Sequence, residues 1–391
     1  MKFIHAIFLV FSLLAAPAFA AEHVRARDLG VPFDGTPGPL NAITDVAGVE
    51  VGYKTIIKGS GKLVRGKGPV RTGVTAILPR GKTYDPVFAG WHALNGNGEM
   101  TGTTWVTESG FLEGPVMITN THSVGVVHDA VIEWQVKHGF YEGLPGEPDV
   151  FWSLPVVAET WDGDLNDING FHVTKKDAFA ALDGAKSGAV GEGNVGGGTG
   201  MICHEFKGGT GTASRVLAKD SGGYTVGALV QANYGIRKTM RIAGVPINDE
   251  IPDLLPGVPE AEERGSIIVV LATDAPLLPH QLRRVAQRAS LALGRMGSYA
   301  SNGSGDIFIA FSTANSKAAY RLENQEVEFV PNDAMGPIFL AAVEATEEAI
   351  VNALVAAKTM TGADGYVVHA LPHDRLRAAL KKHGRLADAA E

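Results

Sequence analysis

The sequence is poor in cysteine, in clustered positive charge and in long apolar runs. Cys203 is its only cysteine, so the chain cannot form an internal disulfide and must be stabilised by packing. The formal net charge is −8 and no run of Lys and Arg is present, which argues against a nucleic acid or an anionic membrane surface as a partner. Charged residues make up 19% of the chain and hydrophobic residues 45%, which argues against bulk disorder and for a buried core.

A short apolar run at the N-terminus has the features of an export signal. Lys2 precedes the apolar residues 7–16, and the small-residue triplet 18–20 ends just before Ala21. The run is too short to span a bilayer comfortably, and polar sequence follows it directly. We therefore predict that residues 1–20 are a signal peptide and that residues 21–391 form a single catalytic domain, periplasmic or secreted and free of the membrane.

Forty-nine glycines divide the chain into short segments, several of them rich in Val and Ile. Some of these segments are apolar throughout, which is typical of strands covered on both faces. Helical periodicity is clearest in the C-terminal third, and strands covered by helices predict a layered α/β structure. The predicted strands are 73–78, 115–119, 222–232, 266–272, 306–311 and 326–330, and the predicted helices are 278–295, 337–361 and 374–382.

Several stretches resemble known cofactor or metal motifs, but the neighbouring residues that each motif requires are missing. The stretch 191–196 matches a dinucleotide fingerprint, but more glycine and an apolar segment follow it instead of the required helix. Asp162, Asp164 and Asn166 resemble a calcium loop that lacks its turn glycine and its bidentate acid, and the twelve histidines show no metal-ligand spacing. We therefore predict no cofactor and no metal. Cys203 and His122 are favoured as structural residues over a nucleophile and a triad base.

The junction between Gly265 and Ser266 is the remaining candidate for chemistry. The stretch 249–265, with three prolines and several acids, is predicted to be an exposed connector, and Ser266 opens the buried strand that follows. If the Ser266 hydroxyl attacked the Gly265 carbonyl, the amide would become an ester, and water would then release a free α-amine with a pKa of about 7.7–8.0. Taken alone, Gly-Ser before a strand is more often an ordinary turn.

Six blocks of sequence lie in order between about residues 25 and 373. They are Arg-Asp-Leu-Gly at 27–30, Asn-Ala-Ile-Thr-Asp-Val-Ala-Gly-Val at 41–49, Pro-Val-Val-Ala-Glu-Thr at 155–160, the glycine-rich 191–200, Leu-Val-Gln-Ala-Asn at 229–233 and Ala-Thr-Asp-Ala-Pro at 272–276. In this combination the chain resembles the L-aminopeptidase/D-esterase family, which also contains the β-peptidyl aminopeptidases.

The resemblance implies a four-layer αββα sandwich of the N-terminal-nucleophile type, related to the ornithine acetyltransferases. It implies that the chain cuts itself between Gly265 and Ser266 into an α chain, 21–265, and a β chain, 266–391, which stay together. A homo-oligomer, a tetramer of such αβ protomers, is implied as well.

The resemblance also assigns roles to side chains of the site. Ser266 becomes the nucleophile, with Ser304 and Asp306 as its partners. Asn233 and Glu159 line the site around the scissile carbonyl and the substrate amine. An amide N–H of Asn233 suits an oxyanion, and the carboxylates of Glu159 and Asp306 suit a substrate ammonium.

Two positions depart from the family's pattern. The β-peptidyl aminopeptidases carry Glu where this chain has Asp306. The α-amino-acid-specific type carries a Tyr where this chain has Trp161. The resemblance places Trp161 against the substrate. An indole N–H cannot replicate the position of a phenol hydroxyl. The preference for α- or β-amino acyl substrates therefore stays open, as does the general base, which is either the free α-amine or Ser304 with Asp306.

The sequence thus predicts an exported serine aminopeptidase that releases N-terminal α- or β-amino acyl residues from short peptides, amides or esters. Two alternatives stand beside this prediction. An acyltransferase of the ornithine acetyltransferase type normally uses Thr and works in the cytoplasm, which Ser266 and the signal peptide disfavour. A periplasmic solute-binding protein would use the glycine loops to hold a ligand and would remain one intact chain.

Overall fold

Two β-sheets, stacked face to face, organise the chain in a computed structural model that describes residues 24–139, 142, 150–257 and 263–387. The predicted signal peptide, 1–20, lies outside the described residues. The strands are β1 Glu50–Lys58, β2 Val70–Lys82, β3 Val87–Gly96, β4 Phe111–Leu112, β5 Val116–Asn120, β6 Val156–Thr160, β7 Ile202–Cys203, β8 Phe206–Lys207, β9 Gly209–Val216, β10 Thr225–Tyr234, β11 Arg241–Ile242, β12 Val245–Pro246, β13 Arg264–Thr273, β14 Gly303–Ser312, β15 Met360–Thr361 and β16 Val367–Val368. The helices are α1 Thr103–Ser109, α2 Val124–His138, α3 Lys175–Asp183, α4 Ile247–Glu250, α5 Pro279–Arg295, α6 Gly336–Ala356 and α7 His373–Lys382.

The sheets differ in size and carry helices on their outer faces. The smaller has the order β1-β2-β5-β6, and the larger has the order β4-β3-β14-β13-β10-β9. Helices α2 and α3 pack on the smaller sheet, and α5 and α6 pack on the larger. A third apolar cluster fills the space between the sheets. The predicted four-layer αββα sandwich is confirmed.

The apolar sequence of strand β13 is explained by the burial of both its faces. Ile267, Val269 and Leu271 face the α5–α6 layer, while Ile268 and Val270 face the other sheet. Successive side chains of a strand point to opposite faces, so a strand covered on both sides needs apolar residues at every position. β13 lies between β10, which is antiparallel to it, and β14, which is parallel.

Two helix predictions hold, the third extends five residues too far, and one strand prediction is wrong. α5 and α7 match the predicted ranges within one residue, while α6 ends at Ala356 and the short strand β15 follows. The predicted strand 326–330 is irregular, and none of the described strands pairs with it. The Asn315 side chain binds both main-chain groups of Glu328 instead, at 3.0 and 2.9 Å.

The prediction that 249–265 is an exposed connector is wrong at both ends of the segment. Ile251 is buried just after α4, and Glu263 is fully buried just before β13. Pro256 is also buried, although the residues around it are not. The acids of this segment therefore do not all face water. Separately, within the described part of the chain, no helix is long and apolar enough to cross a membrane.

Gly211 tests the contact between the larger sheet and α6. A Cβ atom at this position would lie 2.0 Å from the Ala349 carbonyl oxygen and 2.6 Å from the Ala353 nitrogen, both backbone atoms. We expect Gly211→Ala to push α6 away and to lower the free energy of unfolding by about 1–3 kcal/mol. Gly125→Ala, in α2 with no atom within 4 Å of the added Cβ, is the control and should be neutral or stabilising. Equal denaturation midpoints for the two variants would contradict this packing.

Candidate active site

A cavity of about 530 Å³ lies where β13 begins, beside the carboxyl ends of the parallel strands β5 and β6. This volume is in the range of small-molecule sites. Five of the predicted site residues line it, namely Glu159, Trp161, Asn233, Gly265 and Ser266. Ser304 and Asp306 are not part of its wall. The sequence predictions therefore converge on one cavity, with one pair of residues standing outside it.

Ser266 begins the buried run of the central strand β13 and is paired with Asn233 of β10 and with Gly305 of β14. Its side chain is 4% exposed, and its hydroxyl makes no hydrogen bond with the described residues. A buried serine hydroxyl normally has a partner. The lack of one leaves this hydroxyl available to a molecule that enters the cavity.

Gly265 has a backbone conformation that other residues rarely adopt. Its φ is +104°, and a Cβ atom there would lie 1.9 Å from the Asn233 carbonyl oxygen. Both the left-handed φ and the close approach of β10 require glycine. The peptide bond that precedes Ser266 therefore lies at the cavity wall, in a backbone conformation and a contact with β10 that only glycine allows.

Asn233 is oriented by the hairpin that follows the glycine-rich stretch. Its Oδ1 accepts a hydrogen bond of 2.7 Å from the backbone N–H of Ile202. Its amide N–H groups have no acceptor among the described residues, and the side chain lines the cavity. Because Asn233 and Ser266 are cross-strand partners, their side chains lie on the same face of the sheet. A donor and a hydroxyl therefore face the same space.

Glu159 is a buried carboxylate on the wall of the cavity, in strand β6. One oxygen accepts a hydrogen bond of 3.0 Å from the Glu99 N–H, and the other accepts one from the Thr121 hydroxyl. Burial raises the pKa of Glu159, an effect that these two hydrogen bonds and the nearby His122 partly offset and that the Glu99 carboxylate reinforces. A cation placed in the cavity would favour its charged form.

Trp161 forms an aromatic rim next to Glu159. Its ring lies edge-on to His122 with centroids 5.9 Å apart, and His122 stacks on Phe171 at 6.1 Å. His122 thus packs between aromatic rings, and the cavity wall does not include it. His122 is itself exposed, and its structural role stays a prediction. Cys203 is fully buried, and burial raises the pKa of its thiol to about 12, as expected for a structural cysteine.

Ser304 and Asp306 form a buried pair behind the cavity. The Ser304 hydroxyl donates to Asp306 Oδ1 at 2.8 Å, and the Asp306 N–H donates to Asn95 at 3.0 Å. The other carboxylate oxygen, Oδ2, has no partner in the described ranges. Burial, reinforced by the charge of Glu263, raises the pKa of Asp306 to about 7.

Strand alternation places this pair on the opposite face of the larger sheet from Ser266. Asp306 is the register partner of Ile267, and Ser304 is the partner of Gly265. Ile267 faces the α5–α6 layer, whereas Ser266 faces the cavity. The pair therefore faces away from the Ser266 hydroxyl, on the backbone positions that flank Ser266.

Sequence reasoning missed several polar residues around the site. The Glu263 carboxylate accepts hydrogen bonds from the Ser298 hydroxyl at 2.5 Å and from the Tyr299 N–H at 3.0 Å. Its charge helps to raise the pKa of Asp306. It lies in the acidic segment that was expected to be exposed, so local sequence gave no signal for its burial. Thr121 could have been found from the sequence, because it directly follows a strand and polar residues that follow parallel strands meet at one edge of the sheet.

The cavity is acidic. Among the described residues its lining includes the carboxylates Glu99, Glu159, Asp164 and Glu205 and no Lys, Arg or His. Such a lining favours a cationic group and disfavours an anionic one. Across the described ranges, no group of three or more His, Cys, Asp or Glu side chains is gathered as a metal ion would need.

Comparisons with known proteins agree over nearly the whole chain. Residues 41–368 match peptidase family S58. The β-peptidyl aminopeptidase BapA of Sphingosinicella microcystinivorans is 57% identical over 397 residues, which cover 97% of this chain and 98% of that protein. The L-aminopeptidase D-Ala-esterase/amidase of Ochrobactrum anthropi, a variant of the Ntn (N-terminal-nucleophile) hydrolase fold, has a TM-score of 0.85 at 52% identity and covers 93% of this chain and 99% of its own. A β-aminopeptidase of Burkholderia sp. has a TM-score of 0.84 at 49% identity, with coverages of 92% and 99%.

The fold and these matches define a serine-type aminopeptidase of the Ntn hydrolase class. The chain belongs to peptidase family S58. The family resemblance and the enzyme class predicted from the sequence are thereby confirmed, and peptides are the substrate class. The acyltransferase and the solute-binding protein gain no support from any of these relatives.

The raised pKa of Asp306 predicts a pH-dependent stability. Between about pH 4 and pH 7 the folded chain holds a proton on Asp306 that the unfolded chain, with a pKa near 3.9, has lost. The contribution of this group to the free energy of unfolding therefore falls as pH rises through that window. We expect Asp306→Asn, which cannot ionise, to stabilise the chain more at pH 8 than at pH 4.5.

The measurement is denaturant unfolding at both pH values, with Ser266→Ala as the common background to exclude the self-cleavage that the sequence predicts. Asp177→Asn, at an exposed helix start, is the control and should show no such gain at pH 8. An Asp306→Asn effect of equal size at pH 4.5 and 8 would count against the raised pKa.

Proposed function

We propose that this protein is an exported aminopeptidase that cuts its own Gly265–Ser266 bond and then uses Ser266 to release the N-terminal residue of short peptides, amides or esters. The single observation that carries the proposal is the pairing of Ser266 with Asn233 on the cavity face of the larger sheet. This pairing gives one hydroxyl and one amide donor a common space in which an acyl group can react.

The self-cleavage step takes place at the junction between Gly265 and Ser266. The Ser266 Oγ forms a bond to the Gly265 carbonyl carbon, and the C–N bond between the two residues breaks as the Ser266 nitrogen takes up the hydroxyl proton. Water then hydrolyses the ester, which leaves a carboxylate on Gly265 and a free amine on Ser266. The glycine at 265 supports the proposal, because it has no side chain over the attacked carbonyl and tolerates unusual backbone angles there.

Substrate hydrolysis repeats the same chemistry on an external acyl group. Ser266 Oγ attacks the carbonyl of the first residue, the leaving amine departs with a proton, and water releases the acyl group. The negative oxygen of each tetrahedral intermediate needs a donor, and the Asn233 amide has N–H groups to offer there. Loss of one such donor costs about 10²- to 10³-fold in rate in other enzymes.

The substrate amine is proposed to bind at Glu159. This carboxylate is already fixed by Thr121 and the Glu99 N–H, so it loses little freedom when a cation binds. The acidic lining and the absence of basic side chains from the described wall support selection of a free ammonium. A blocked N-terminus would leave the carboxylate unpaired.

The Ser304–Asp306 pair is proposed to act on the new α-amine. Its position opposite Gly265 and Ile267 brings it near the backbone nitrogen of Ser266, which becomes that amine after the cut. A carboxyl group with a pKa of about 7 and an amine with a pKa of about 7.7–8.0 can exchange a proton near neutral pH. In this arrangement the amine is the base for the Ser266 hydroxyl, and the pair holds the amine.

The finer substrate range and the cellular setting belong to the same proposal. A relative with 57% identity is named a β-peptidyl aminopeptidase, which supports β-amino acyl substrates besides α-amino acyl ones. The apolar run at 7–16 and the triplet at 18–20 support export with residues 21–391 as the mature protein. A tetramer of αβ protomers completes the proposal.

The cut predicts two fragments of defined ends. Protein recovered from the periplasm should separate on a denaturing gel into residues 21–265 and 266–391, and mass spectrometry should find Ala21 and Ser266 as the N-termini. Ser266→Ala should remain one chain without peptidase activity, because it lacks the attacking hydroxyl. Ser290→Ala, on α5 and away from the cavity, is the control and should cut normally. Activity from a single uncut band would refute the mechanism.

The Glu159 site predicts dependence on a free amine. We expect Glu159→Gln to raise KM for β-alanyl p-nitroanilide about 10- to 100-fold, because a charged hydrogen bond contributes about 1.5–3 kcal/mol. Glu99→Gln, an exposed carboxylate of the same wall, should change KM by less than about threefold, as expected for an exposed ion pair. N-acetylated substrate should be inert.

Rapid cleavage of the N-acetylated anilide by the parent enzyme would contradict the amine site. Comparison of β-alanyl with L-alanyl anilide then assigns the preferred class. Faster cleavage of the β-alanyl compound is the expected result, and the reverse order would make this an α-amino acyl enzyme.

A further inference from the structure

The β7–β8 hairpin, residues 202–207, is strained and heavily constrained. Its two turn residues, His204 and Glu205, both have positive φ, +48° and +60°, although neither is glycine. The His204 N–H donates to the Tyr234 carbonyl at 2.7 Å, and the Arg237 guanidinium donates to the carbonyls of His204 and Glu205 at 3.0 and 2.9 Å. Strain of this kind persists where surrounding contacts fix it, and it is concentrated at functional sites.

Lys207 ends this hairpin as a fully buried cation without a carboxylate partner in the described ranges. Its Nζ donates to the carbonyl oxygens of Met201 and Gly208 at 2.8 and 2.9 Å, and to that of Gly198 at 3.4 Å. Burial lowers its pKa to about 7. An ammonium is costly to bury, and a methionine or leucine would fill the same space without that cost. The position therefore calls for a reason other than packing.

The reason is visible in the peptide group that joins Met201 to Ile202. The carbonyl of this peptide is held by Lys207 Nζ and by the Gly208 N–H at 2.9 Å. Its N–H, on the opposite edge of the same rigid plane, donates to Asn233 Oδ1 at 2.7 Å. A reversed Asn233 amide would set two donors against each other, so this N–H fixes which end of the amide faces the cavity.

We propose that Lys207 is a positioning residue that acts through the Met201–Ile202 peptide to hold the Asn233 amide donor toward the oxyanion. This inference rests on the proposed function, because it requires Asn233 to donate to that oxygen. The charge of Lys207 also polarises the peptide and strengthens the hydrogen bond at its far edge. The residue touches neither substrate nor nucleophile, and its effect falls on the transition state.

Lys207→Met tests this role in the cleaved enzyme, since it keeps the apolar stem and removes the donors. We expect kcat to fall about 10- to 100-fold with KM changed by less than about twofold, because the lost interaction is made mainly in the transition state. Appearance of the two fragments during self-cleavage should slow by a similar factor. Cys203→Ala, a buried change in the same hairpin that spares these hydrogen bonds, is the control and should keep kcat.

Two inhibitors separate positioning from a structural defect. An aminoalkyl boronate forms a tetrahedral adduct with a serine hydroxyl, whereas free β-alanine resembles the released product. Lys207→Met should weaken the boronate by the same factor as kcat/KM and leave β-alanine unchanged. Equal weakening of both inhibitors, or an unchanged kcat, would overturn the inference.

A second variant protects the test against misfolding. Lys207→Gln keeps two N–H donors without the charge, and we expect it to fold and to lose about 3- to 10-fold in kcat, with a matching loss for the boronate. Full activity of Lys207→Gln would overturn the inference. If the parent enzyme bound the boronate no more tightly than β-alanine, the proposed nucleophile itself would fail, which is a result distinct from a failure at Lys207.

Discussion

The pairing of β10 with β13 is the constraint on which the rest of the site depends. It sets Asn233 directly opposite Ser266, and it presses the Asn233 carbonyl so close to Gly265 that only glycine fits. A slip of β13 by one residue would turn Ser266 away from the cavity and from Asn233. The apolar residues that continue β13 on both faces anchor that register, because each has a layer of the sandwich to fill. Packing and chemistry are therefore specified by the same strand.

The larger sheet divides the chemistry between its two faces. The cavity face carries the hydroxyl, the amide donor and access to Glu159, while the opposite face carries Ser304, Asp306 and Glu263 among apolar residues. The cavity face is open to a ligand, and the buried face is dry enough to raise the pKa of Asp306. The backbone of β13 is common to both faces at this point. A group formed on that backbone is in reach of both environments.

Much of this arrangement could be predicted from the sequence, and the remainder could not for identifiable reasons. Continuous apolar runs indicated the central strands, and the family blocks led to Ser266, Asn233 and Glu159. Glu263 escaped notice because burial of an acid depends on partners distant in sequence, such as Ser298. The alternating segment 326–330 looked like a strand, but strand formation also needs a neighbour, and a single Asn315 side chain replaces it. Lys207 carried no motif, since its partners are backbone carbonyls.

The order of the strands in the larger sheet has a consequence for how two fragments would hold together. Residues after 265 supply β13 and β14, whereas β3 and β4 on one side and β9 and β10 on the other come from before that point. The later segment is thus interleaved within the earlier one, bonded along both of its edges rather than docked on a surface. Separation of the two would require both ladders to open at once. A break between Gly265 and Ser266 would change the number of chains without creating a new folding unit. The two fragments are expected to unfold together in one cooperative transition.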